Sequence, residues 1–440
     1  MSTLYDLADP AMQQTAAGYP QLKTMNTSFL FSQDERDTLR SLAQQVAEIA
    51  SLPVQNEKAK LWTAHNDLKT LEPLVFIDPE NGWNEIILAS ELVCRDPLAR
   101  VWEMQFRKQI YWFRYLKDDK VIEPYFDVPY SYSDNGWGLN IAKHGGDHGG
   151  AYAVTQALVD YERDLDKLHY PIIEIDHEQS EKAMTLAMEL FDGILAVRRK
   201  NIWWWTLGMC QEYVNMRGME DFMCDMIIEP DNFHAVMEIL CSGQLKRLSW
   251  LEKSGLLSLN NDGTYVASGG FGYTNELPLS DFNSSQVRTM DMWGFVDAQE
   301  TVSVSPEMYA EFVLPYHKRI ADRFGMNCYG CCEIYDTRWE YVKTIPRLRK
   351  VSVSPWANWR TVPEYLGNKY IASVKPSPTP LASKIMNENE VRNDCRRAAE
   401  QTKGGVCEFI MKDNNTLGGN PEHAIRWVQI MREEIIKVYG

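Results

Sequence analysis

Apolar positions along this chain fall into two periods. From Ser32 the spacing is helical: Leu39, Leu42, Val46 and Ile49 recur at intervals of 3, 4 and 3, which is one face of a helix. Ser32 with Glu35 three places on is a capping box, the pair that starts a helix. Residues 98–118 (LARVWEMQFRKQIYWFRYLKD) predict a second long helix with an aromatic face. Between 121 and 153 the chain is rich in Gly, Tyr, Trp and Pro and ends in HGGDHGG, the composition of a long and often functional loop. From 170 onward short apolar runs alternate with helical stretches. YPIIEI precedes a helix that turns Ala183, Leu186, Leu190 and Ile194 inward; NIWWWT, TYVAS, WGFVDA, MNCYG, KVSVSP, YIASVK and VCEFIMK follow. Short β-rich runs separated by helices are parallel β/α units. The count is about eight, the number that closes a barrel, with TYVAS open to being an insertion and the first strand open to lying before 170. The expectation is an α/β fold, a (β/α)8 TIM barrel over residues 161–440, with a mainly helical N-terminal extension over 1–160 that contributes to the barrel rim. An open dinucleotide-binding sheet is disfavoured, because GGFGYTNELP lacks the G-x-G-x-x-G spacing.

Charge narrows the partners. Asp plus Glu number 61 against 45 Lys plus Arg, a formal net charge of -16. That field repels nucleic acid and anionic membranes but not a small substrate in its own pocket. No apolar run reaches the ~18 residues of a membrane helix, and MSTLYDLADPAMQQTAAGYP has no basic segment leading an apolar one, so neither membrane span nor signal peptide is expected. Nine cysteines, an odd number, argue for thiols and a reduced cytoplasmic compartment.

In a (β/α)8 barrel the reacting groups stand at the C-terminal strand ends. WGFVDA delivers Asp297, Gln299 and Glu300; MNCYG delivers Cys328, Cys331, Cys332 and Glu333; VCEFIMK ends at Lys412, Asp413, Asn414 and Asn415; NIWWWT brings Trp203, Trp204, Trp205 and Thr206. Thiolates and a carboxylate in CYGCCE are candidate zinc ligands, or small apolar residues in a core. Asp297 is a candidate for substrate or proton handling, or a helix cap or a salt bridge inside the barrel mouth. The Gly-rich loop carries His144, Asp147 and His148, which are metal or acid–base candidates or solvated side chains. An inward ring among Trp203–Trp205 would stack on a planar substrate. Cys407, near the start of its run, is expected to be structural and away from the mouth.

Three stretches, in order, resemble the uroporphyrinogen decarboxylase superfamily over roughly 170–440: TLGMCQEYVNMRGMEDFMCDMIIEPDNFHAVMEIL, MWGFVDAQETVSVSPEMYAEFVLPYHKRI and NNTLGGNPEHAIRWV. The family holds tetrapyrrole decarboxylases and zinc methyltransferases that exchange methyl groups with a corrinoid. VWEMQFRKQIYWFRY echoes the decarboxylases' Arg-rich motif only faintly. Against the methyltransferases' H-x-C, Tyr329 stands at the His and Cys331 at the Cys, while the last strand ends in Lys412 and Asp413 rather than a Cys. Either Glu333 and Asp413 supply oxygen ligands beside Cys331, or the site is not zinc. The resemblance implies catalytic Asp297 and Glu333, substrate contacts from Trp205, Glu300 and His148, and a metal set of Cys331, Glu333 and Asp413. Carboxylate ligands would suit Lewis-acid polarisation of an oxygen leaving group. The implied reaction moves a methyl group from a small aromatic methyl ether to cobalamin on a partner corrinoid protein. A cofactor-free decarboxylase or lyase, which predicts a pocket lined with Arg, and a non-catalytic barrel plugged by Trp side chains are the other classes.

Overall fold

The computed structural model describes residues 10–12, 22, 25–145 and 152–440. Its strands are β1 (Leu74–Ile77), β2 (Tyr125–Val128), β3 (Ser131–Asp134), β4 (Lys143–Gly145), β5 (Tyr152–Val154), β6 (Ile173–Asp176), β7 (Ala196–Arg199), β8 (Trp293–Val296), β9 (Met326–Tyr329), β10 (Leu348–Val353), β11 (Ile371–Val374) and β12 (Val406–Met411). Six form one parallel sheet in the order β1-β12-β11-β10-β9-β8, and β2 pairs in parallel with β7. Two seams join these arcs. At one, the Asp119 N–H donates to the Val75 carbonyl at 2.8 Å, while the Asp119 and Asp118 carboxylates accept the N–H groups of Val75 and Ile77. At the other, the Leu207 N–H donates to the Phe295 carbonyl at 2.9 Å. The result is a (β/α)8 barrel with strand order β1-β2-β7-β8-β9-β10-β11-β12. Such strands are covered on both faces, so they read as continuous apolar runs.

The capping box at Ser32 and Glu35 forms as read, starting the helix Gln33–Ala50, and the aromatic helix runs Pro97–Tyr111 before a π turn. Among the described residues no helix is long and apolar enough to cross a membrane.

Several strand assignments change. Two barrel strands, β1 and β2, precede residue 161, so the expected boundary at 160/161 does not separate the barrel from its extension. β2 (YFDV) lies in the stretch read as loop, bracketed by Pro124 and Pro129. YPIIEI forms β6, which pairs antiparallel with β3 outside the barrel. NIWWWT is not a strand; it follows β7 and leans on β8. TYVAS belongs to an insertion between the helix Pro230–Lys253 and β8, where Tyr265 and Phe271 bridge antiparallel.

That insertion enters the barrel at the N-terminal end of its strands. Trp293, first residue of β8, donates its indole N–H to the Gly272 carbonyl at 2.9 Å. The glycine run GGFG is explained by this placement. Gly270 has φ +79°, and a Cβ there would lie 2.6 Å from both Glu408 Oε2 and Lys350 Nζ. Lys350 and Glu408 form a sealed pair at 2.8 Å, with His65 Nε2 at 3.4 Å from the same carboxylate.

Candidate active site

Above that pair, a cavity of about 290 Å³ opens between β1, β2, β7 and the helix Pro97–Tyr111. Its wall is a chain of rings: Trp83 and Trp112 at 4.5 Å between centroids, Phe76 and Trp112 at 6.1 Å, Phe76 and Phe271 at 4.8 Å. Tyr265 of the insertion and Trp205 also line it. The rings sit there because β1 alternates, with Phe76 turned in and Val75 and Ile77 turned to the helices. The first and last of these contacts are edge-to-face, an arrangement that keeps ring faces and edges presented to a planar guest.

Polar groups enter the same cavity. Lys120 Nζ lies 4.6 Å from the centroids of both Trp112 and Phe271; Lys108 Nζ lies 5.6 Å from that of Trp83. Burial pushes the Lys108 ammonium down to about 8, with Asp78 partly opposing. Arg198 and Lys200 are tied to Asp127 and Asp262. Glu80 follows β1 in a short turn, and its Oε2 accepts the Asn414 N–H at 3.1 Å. Burial raises its carboxyl to about 8; Lys412 opposes the rise, and Asp78 and Asp413 add to it. Glu80 is therefore mostly protonated near neutral pH, with Lys412 Nζ 3.8 Å from Oε1. Lys412 also stands 5.6 Å from the Trp205 ring centroid.

Around the mouth, at the ends of β8 and β9, is a second acidic group. Asp297 is buried and accepts the Thr206 hydroxyl at 2.6 Å. Burial, then the charges of Glu333 and Glu300, push its carboxyl well up. Burial raises Glu300 to about 7. Close approach needs a glycine beside Asp297: a Cβ at Gly208 would lie 2.4 Å from the Asp297 carbonyl oxygen. Glu333 is a clamp between two loops, its oxygens accepting the N–H groups of Ala298 at 2.8 Å and Cys331 at 2.7 Å.

No family model matches this chain, and no curated protein matches it. A methyltransferase from Methanosarcina mazei is similar in structure. The two are 10% identical, the match covers 69% of this chain and 77% of that one, and the TM-score is 0.42.

Asp297, Glu300, Glu333 and Asp413 all stand at C-terminal strand ends, as strand position predicts. Of the expected site residues that the structure describes, however, only Trp205 lines the aromatic cavity. The other two tryptophans turn away, Trp203 donating to the Leu256 carbonyl and Trp204 packing on Phe324. His148 and Asp147 lie outside the described residues; His144 is exposed, its Nε2 at 2.7 Å from Thr155 Oγ1.

Cys331, Glu333 and Asp413 do not fit a zinc ion. Both Glu333 oxygens are engaged by backbone N–H groups, and Asp413 Oδ1 faces Lys412 Nζ at 3.5 Å. Among the described residues no group of three His, Cys, Asp or Glu side chains is placed to hold a metal. Tyr329 is buried in the helix layer beside Tyr309. Cys407 is buried and donates to the Thr402 carbonyl, facing the helices rather than the mouth.

Sequence reading missed Glu80, Lys108 and Lys120. The available signal was the apolar run LVFI followed at once by Asp78 and Glu80, a strand end with two acids.

Proposed function

We propose that this protein transfers a methyl group from a small aromatic methyl ether to a corrinoid carried by a partner protein, with Glu80 protonating the oxygen that leaves. One observation supports this above the rest: an aromatic-walled cavity the size of one substituted ring has a carboxyl with a pKa of about 8 on its wall. A phenol has a pKa of about 10, so an aryl oxide leaving group takes a proton readily from an acid near 8, and such transfer is worth about 10²–10⁴ in rate. This acid does what a Lewis-acidic metal was expected to do. The rings hold the aryl group, Trp205 borders it, and Lys412, 3.8 Å from Glu80, stabilises the glutamate left after proton transfer. The corrinoid, when docked over the mouth, supplies the nucleophile that accepts the methyl group. The ether must therefore point its methyl outward, because direct displacement needs aligned atoms at about 3–3.5 Å.

A second reading is favoured by the cations. Lys108, Lys120, Arg198 and Lys200 all line the cavity, as a cofactor-free decarboxylase of aromatic carboxylates would require. The protein mixed with Co(I) cobalamin or a cognate corrinoid protein and a panel of aryl methyl ethers should give methylcobalamin and free phenol. Glu80→Gln should lower that turnover about 10²–10⁴-fold while ring binding, read by tryptophan quenching, persists. Release of carbon dioxide from aryl carboxylates, with no methylcobalamin from any ether, would put the lyase in its place.

A further inference from the structure

We propose that Cys331 and Cys332 form a thiol–disulfide exchange site, a dithiol at the barrel mouth that closes to an intramolecular disulfide when it meets a low-molecular-weight disulfide. This inference is independent of the methyl-transfer reading. The two Sγ atoms lie 3.7 Å apart on adjacent residues after β9. Cys331 is buried and Cys332 half-buried, so Cys332 meets a reagent first and Cys331 waits behind it, the order in which an attacking and a resolving thiol must stand. Most other cysteines are sealed in the core; Cys224 is exposed.

Closure is tied to the geometry of the mouth. The Cys331 N–H donates to Glu333 at 2.7 Å, and the Cys331 carbonyl accepts the Ser352 hydroxyl at 2.7 Å, itself held by Lys375 at 2.6 Å. The small ring made by joining adjacent cysteines forces their peptide away from a relaxed trans plane. Closing it therefore competes with these hydrogen bonds and loosens Glu333, which also holds the Ala298 N–H beside Asp297. A ring under such tension is readily reopened, the behaviour of a labile disulfide rather than a structural one.

The exchange balances without any group from outside except the disulfide. Cys332, as thiolate, attacks one sulfur of RSSR; that S–S bond breaks, one RS⁻ leaves, and Cys332 carries a mixed disulfide. Cys331 then loses its proton to water and attacks Cys332 Sγ, expelling the second RS⁻. The dithiol is oxidised and RSSR is reduced to two thiols.

The test is oxidised glutathione on the full-length protein, followed by alkylation and peptide mapping by mass spectrometry. The peptide bearing Cys331 and Cys332 should lose two hydrogens and carry neither glutathione nor alkyl label, and dithiothreitol should restore both thiols. Cys224, with no neighbour to resolve it, should hold a glutathione adduct in the same sample. Cys331→Ser should trap the adduct on Cys332. Persistence of a Cys332 adduct in the unaltered protein, or no reaction at Cys332 while Cys224 reacts, would overturn the proposal, and both outcomes are read without any variant.

Discussion

Glu408 and Glu80 are carboxylates inside one barrel, each with a lysine nearby, and their titrations run in opposite directions. Glu408 lies at the level closed by the insertion, fully buried, with Lys350 Nζ at 2.8 Å and His65 alongside. Burial alone would raise its carboxyl; the Lys350 ammonium and His65 overcome that and bring it down to about 2. Glu80 has its lysine at 3.8 Å, two further acids in Asp78 and Asp413, and a cavity in front of it, and it rises to about 8. A buried ion pair in contact keeps its charge and structures the core; a carboxyl whose cation stands an ångström further off keeps its proton. The lower region is saturated by its own partners, and the upper one is left for a guest.

The contrast can be broken at its sealed end first. Glu408→Gln leaves the Lys350 ammonium buried without its counter-charge, a change that removes about 3–5 kcal/mol. Chemical denaturation should show that loss, and Lys350→Met with Glu408→Leu should recover much of it, since an apolar pair of similar volume is often neutral. A double variant no more stable than the single one would mean that the pair is not what holds this level together.

The next effect is on pH dependence. Glu80 has a folded pKa of about 8 against a usual 4.5, so the folded state binds more protons than the unfolded one between those values. Its contribution therefore lowers stability as pH rises from about 4.5 to 8 and is constant above. Glu408 has the opposite sign: its contribution is present above about 4.5 and is lost as pH falls toward 2. Glu80→Gln should flatten the decline between pH 5 and 8 in a series of melting curves and leave the acid limb unchanged. An unaltered slope would show that Glu80 ionises freely and is no proton donor. Turnover offers the same check, because the fall in rate above pH 8 should vanish in this variant if chemistry is limiting.

The smallest effect concerns the helix layer. Cys407→Ala should cost about 1 kcal/mol, as for a small buried group, and leave turnover close to that of the parent. Loss of activity with the fold intact would tie this thiol to the mouth, from which its contact with Thr402 separates it.

Legibility along the chain was uneven for a physical reason. β8 to β12 are apolar runs set between helices, and periodicity finds such units. β1 and β2 are no shorter than β8, β9 and β11, but no such alternation flanks them, and β2 sits between prolines. YPIIEI has the composition of a barrel strand, but its partner is β3 and not a barrel neighbour. Strand-end position led to Asp297, Glu300, Glu333 and Asp413, yet not to the division of labour among them. Glu333 spends both oxygens on backbone N–H groups, which no residue type announces. Glu80 is hidden in the sequence because LVFI stands outside the regular alternation of runs and helices that marks the later strands.

What the sequence determined by itself is local: the Ser32–Glu35 cap, the alternation of apolar runs and helices that makes a β/α barrel, and the placement of Cys407 near the start of its strand. These depend on spacings of a few residues and on backbone hydrogen bonds within one element. The tertiary structure alone decided the closure of the ring through β1 and β2, the insertion that fills one end, and the charge states inside. Glu80 accepts an N–H from Asn414, 334 positions away, and sits by Lys412 and Asp413. Desolvation and proximity set its proton, and both are properties of which strands become neighbours, a matter that only the closing of the barrel decides.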